Sequence, residues 1–137
     1  MRAILICFGG AMGLAACMGA VDLTAPSPAR DYADYCAGCH GTGGDPGPIA
    51  QELKLHPVSL ADLTMMNDGR FPEARVMSKI VGHREHGEMI GAQAGEMPSF
   101  EPMLDGPVVL YDSGDGIATP TPARLVRLME YIKGMQQ

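Results

Sequence analysis

Cys36 and Cys39 stand three positions apart, and His40 follows at once, in the stretch CAGCH. Two thiols so spaced can close a redox disulfide, hold half of a metal site, or add across the two vinyl groups of a haem. The adjacent imidazole favours the third, because a porphyrin pinned by thioethers at both cysteines would carry its iron over the ring nitrogen of His40. A thioredoxin-type disulfide needs a βαβ surround, whereas here a helical pattern runs into the Gly-rich loop GTGGDPGP. A structural zinc site needs two further ligands at finger spacing, and the chain has no second Cys pair of that kind.

An iron held this way has a second axial position, so a distant ligand is expected. The best candidate is Met97, in GEMPSF, where Pro98 restricts the backbone after the thioether. Met89 and Met103 are rival loop methionines, and His83 and His86 would give a bis-His iron of lower potential. Met65, Met66, Met77, Met129 and Met135 occupy apolar helical positions and are read as core.

These residues need elements to position them. Ser27 and Pro28 supply an N-cap and first helical residue, so a first helix should run from Pro28 into CAGCH with Tyr32 on its inner face. Residues 41–48 should be loop. Ser59 and Asp62 form a capping-box pattern for a helix over LADLTMMN, and FPEARVMSKIVG starts a further helix at Pro72 with Val76, Met77, Ile80 and Val81 on one face. From His83 to Thr121 periodicity fades, with VVLY the only hint of a strand. The last helix has Thr121 and Pro122 at its start and an apolar stripe at Leu125, Leu128, Met129, Ile132 and Met135.

The rest of the composition sets the compartment and partner class. Ten Lys and Arg face sixteen Asp and Glu across 137 residues, which disfavours nucleic acid and favours a basic protein surface. Residues 1–16 have one positive charge at Arg2 followed by an apolar run, the layout of an export signal. Leu14, Ala15, Ala16 and Cys17 resemble a lipobox, which makes Cys17 a candidate lipidation site and the protein a lipoprotein held on the periplasmic side of a membrane. The expected organisation is a signal peptide over 1–16, a tether over 17–27 and one domain over 28–137. With Cys7 removed and Cys17 capped, only Cys36 and Cys39 remain in the folded part.

Taken together, CAGCHG after a first amphipathic helix, GPIAQEL soon after it, MPSF downstream and LMEYIKGM at the end resemble a class I, monohaem, bacterial c-type cytochrome. The resemblance spans residues 28–135 and implies an all-α fold, with short helices wrapped around one haem c and the terminal helices packed together. It implies thioethers at Cys36 and Cys39, His40 as proximal ligand and Met97 as distal ligand. It also implies that the carbonyl of Pro48 accepts a hydrogen bond from the other ring nitrogen of His40, and that Tyr32, Leu128 and Tyr131 lie at the helix crossing. The stretch 101–120 is longer than the family's minimal link. DSGDG, within it, reads as an acidic surface turn, since it lacks the ligands of a calcium loop.

The implied function is electron transfer by a membrane-tethered carrier between respiratory or dehydrogenase partners, and not enzymatic catalysis. Two alternatives stay open. One is a dedicated haem subunit of a larger dehydrogenase or oxidase, docking through 101–120; the other is a five-coordinate haem sensor or peroxidase-like protein, if Met97 is not a ligand.

Overall fold

The computed structural model describes residues 25–42, 44–82 and 97–137. The expected export signal, Cys17, most of the tether, and the rival ligands His83, His86 and Met89 lie outside the described residues.

Helix α1, Pro28–Tyr35, starts where its local chemistry dictates: the Ser27 hydroxyl accepts the Arg30 N–H at 3.2 Å, and Pro28 has no N–H to satisfy. After Cys36 the chain makes one more helical turn, α2, Ala37–His40. Helix α3, Pro48–Leu53, again begins on a proline and ends with Lys54 in the left-handed conformation. Two short 3₁₀ turns follow, Leu60–Asp62 and Met65–Asn67, then helix α4, Glu73–Ile80. A third 3₁₀ turn, Glu101–Leu104, leads to strands β1, Val108–Tyr111, and β2, Thr119–Pro122, and the chain closes with helix α5, Ala123–Lys133.

The expectation of an all-α fold is overturned by β1 and β2, which pair antiparallel and make the architecture mixed. Val108 stands opposite Pro122, Val109 opposite Thr121, Leu110 opposite Pro120 and Tyr111 opposite Thr119. The physical reason is local. Val108, Val109, Thr119 and Thr121 are β-branched, which favours extended backbone. Asp112 turns the chain by accepting the N–H groups of Gly114 and Gly116 at 2.9 and 3.0 Å. The prolines of β2 are tolerated because a two-stranded sheet is all edge.

Three further expectations are corrected. The capping box at Ser59 does not form: the LADLTMMN run splits into two 3₁₀ turns, and Ser59 makes no capping bond. Without a continuous helical stripe Met65 and Met66 are exposed, not core. Thr119–Pro122 being strand, α5 starts at Ala123.

The core sits between α1, α4 and α5. Tyr32, Ile80, Met103, Leu125, Leu128, Met129 and Ile132 are buried together, and the rings of Tyr32 and Tyr131 meet with centroids 5.5 Å apart. At the same crossing Asp31, 2% exposed, receives two hydrogen bonds from Arg124. Met103, a rival ligand on spacing alone, is fully buried in this core.

Candidate functional site

The turn from Cys36 to His40 carries the chemistry. The carbonyl of Cys36 accepts the N–H groups of Cys39 at 3.1 Å and His40 at 2.8 Å, closing one helical turn. Residues three and four apart on such a turn share a face, so both sulfurs and the imidazole are offered to the same side. Both thiols are free: Cys36 is buried and Cys39 half-buried.

Residues 44–47 fold back onto this turn, and two glycines, Gly41 and Gly47, make the approach possible. Gly41 has φ +65°, and a Cβ there would lie 2.1 Å from the Asp45 carbonyl oxygen. Gly47 donates its N–H to the Cys39 carbonyl at 2.9 Å, and a Cβ on it would lie 2.2 Å from the Ala37 oxygen. The Tyr32 hydroxyl ties the start of the loop to α1 by donating to the Gly41 carbonyl at 2.7 Å. Ile49 then rests against Gly38, its Cδ1 2.7 Å from where a Cβ there would lie.

The His40 ring is oriented from a distance. Its Nδ1 lies 3.1 Å from the carbonyl of Val58. A carbonyl only accepts, so Nδ1 carries the proton and Nε2 keeps its lone pair. Burial holds the His40 pKa below its ordinary value, against the opposing pull of the Val58 bond, and so favours the neutral ring. A neutral imidazole is the form that binds a metal. The partner expected at Nδ1 was Pro48; the bond goes to Val58 instead, and Pro48 serves as the first residue of α3. Val58 is a backbone partner eighteen positions from His40, so no side-chain signal in the sequence could have marked it. His40 also borders a crevice of about 190 Å³ shared with Tyr32, Leu60 and Met135.

The Cys36 thiol is pushed up to about 11 by burial first, then by the nearby Asp31 and Cys39. A thiol so held is protonated at neutral pH and makes a poor attacking group for disulfide exchange. Among the described residues no group of three or more His, Cys, Asp or Glu could hold a metal ion, so the Cys pair has no partners for a zinc cluster there.

Met97 opens the segment 97–100 and is 36% exposed. Two contacts anchor that segment: the Phe100 N–H donates to the Ile80 carbonyl at 2.9 Å, and the Phe100 ring meets Tyr35 edge-on at 5.7 Å. Phe100, three residues after Met97, is thereby packed on Tyr35, the residue that precedes Cys36. Among the described residues no helix is long and apolar enough to cross a membrane.

Comparison with protein-family models, with curated proteins and with solved structures returned no match.

Proposed function

We propose that this protein is an electron carrier holding one haem c, attached through Cys36 and Cys39, with His40 as proximal and Met97 as distal ligand. The observation that carries the reading is the single turn from Cys36 to His40, which offers two free thiols and an oriented, neutral imidazole on one face. The residues around it fit such a group. Ser59 keeps a buried hydroxyl oxygen without a hydrogen-bond partner among the described residues, the kind of orphan that a polar group of a cofactor would satisfy. Ile49 and Val58, flanking the turn, stay exposed as apolar surface that a flat cofactor would cover.

When bound, the haem would supply one-electron chemistry at its iron. The chain does the rest. Cys36 and Cys39 would fix the cofactor against loss, Val58 holds the His40 ring by accepting its Nδ1–H, and the Tyr35–Phe100 contact ties the stretch after Met97 to α1. With His40 and Met97 both serving as ligands, the chain would leave no position for a substrate, which supports a carrier rather than an enzyme. The apolar run at 1–16 and the Leu14–Cys17 tetrad support export and a lipid tether at Cys17, on the periplasmic face of a membrane. The acidic balance supports redox partners with basic contact surfaces.

The ferric optical spectrum tests the ligand set. The weak far-red band of thioether-to-ferric-haem ligation should be present in the parent and absent from Met97→Ala. Its survival in the variant removes Met97 from the site.

A further inference from the structure

An antiparallel sheet that packs on one face ordinarily turns its polar side chains to water. The β1–β2 hairpin does the reverse. Side chains alternate along each strand, so Val109, Tyr111, Thr119 and Thr121 share one face, and Val108, Leu110, Pro120 and Pro122 share the other. Tyr111 shows which face is inward: it packs on the core, and its hydroxyl reaches Glu73 at 2.7 Å and Glu130 at 3.0 Å. The other face carries apolar side chains only, with Val108 60% and Leu110 73% exposed, Pro120 exposed and Pro122 half-buried. Leu104, in the 3₁₀ turn before β1, and Ile117, in the connection between the strands, are also exposed. A contiguous apolar face of this kind marks an interaction site.

Charge says what covers it. Glu101, Asp105, Asp112 and Asp115 lie in the same stretch, and residues 101–123 contain no Lys or Arg. Arg124, the next cation along the chain, is engaged internally by Asp31 and the Pro102 carbonyl. An apolar face in a stretch whose only charged side chains are acidic disfavours a second copy of itself and an anionic membrane, and it complements an apolar patch flanked by Lys or Arg.

We infer that the outward face of the β1–β2 hairpin is the docking surface for a protein partner presenting an apolar patch ringed by Lys or Arg. Binding buries Val108 and Leu110, and the acidic side chains of the same stretch set orientation and association rate. The surface stands whether or not the haem reading does. The hairpin follows the Met97 segment in the chain after the 3₁₀ turn Glu101–Leu104 and a short link.

The test uses the protein as purified and, as probe, a synthetic helical peptide with one leucine face flanked by lysines. A counterpart with glutamate in place of lysine serves as control. Calorimetry at low salt should show saturable binding of the lysine peptide alone, with amide chemical-shift changes concentrated in residues 104–122. Leu110→Thr keeps a good strand former and should weaken binding about tenfold. Asp105→Asn with Asp115→Asn should weaken it severalfold and flatten its salt dependence. If Leu110→Thr does not fold, Val108→Thr takes its place. Absence of binding, shifts elsewhere, or unchanged affinity in the apolar variant overturns the proposal. So does a dimer in sedimentation that Leu110→Thr abolishes, or Leu110-dependent binding to anionic vesicles. The optical spectrum of the same sample reports the haem reading separately.

Discussion

Arg124 grips Asp31 with two hydrogen bonds, Nε to Oδ2 at 3.0 Å and Nη2 to Oδ1 at 2.6 Å, and gives a third, from Nη1, to the Pro102 carbonyl at 2.9 Å. One guanidinium thus joins α1, α5 and the 3₁₀ turn that follows the methionine segment, and the fork geometry suits a carboxylate held both ways. Asp31 is buried, so removing its partner leaves an uncompensated charge. Arg124→Met should cost about 3–5 kcal/mol in denaturant unfolding. The double variant Asp31→Leu with Arg124→Met should recover most of that loss, since apolar replacement of both partners removes the unpaired charge. A double variant no better than the single would show that the pair acts through something other than mutual compensation.

A second ion cluster gives the fold a pH dependence. Burial opposes ionisation of Glu73, but hydrogen bonds from Lys133 and Tyr111 and the Lys133 charge outweigh it, holding the carboxyl below its ordinary value of 4.5. A depressed carboxyl binds fewer protons in the folded than in the unfolded chain. Its stabilisation is therefore complete above the ordinary value and is lost as pH falls through the folded one. Melting temperature measured from about pH 6 down to pH 3 should fall more steeply in the parent than in Glu73→Gln. Parallel curves would contradict this assignment.

The loop over residues 44–47 provides a steric test. Gly47 has φ −70°, so alanine there would suffer no backbone strain, but its Cβ would meet the Ala37 and Gly38 oxygens at 2.2 and 2.5 Å. Gly69 is the opposite case, with φ +78° and nothing within 4 Å of a Cβ. Gly69→Ala should cost about 1–2 kcal/mol. Gly47→Ala should cost more, and should also lower the yield of haem-loaded protein by displacing the loop from the CAGCH turn. Equal losses of stability and equal haem yields would mean that the loop's seat is not part of the site.

The His40 bond to Val58 lies beyond what local sequence signals specify. The CAGCH turn and the start of α1 were legible because caps, prolines and i, i+3, i+4 spacing are local signals. The orienting carbonyl was not, because any residue has one and Val58 is brought there only by the path of the chain after α3. The hairpin was half visible: VVLY hinted at β1, but Thr-Pro-Thr-Pro reads against a strand unless it is known to lie at an edge. At Ser59 the capping pattern was present and misleading, since its hydroxyl is buried without a partner instead of capping a helix.

The central claim concerns Cys36, Cys39 and His40, and intact mass measured under denaturing conditions tests it most directly. The protein is produced in cells that mature a control c-type cytochrome. The parent should emerge one haem heavier than its polypeptide, and Cys36→Ser with Cys39→Ser should lose that increment. A parent with the mass of the bare polypeptide, beside a fully matured control, would contradict the account.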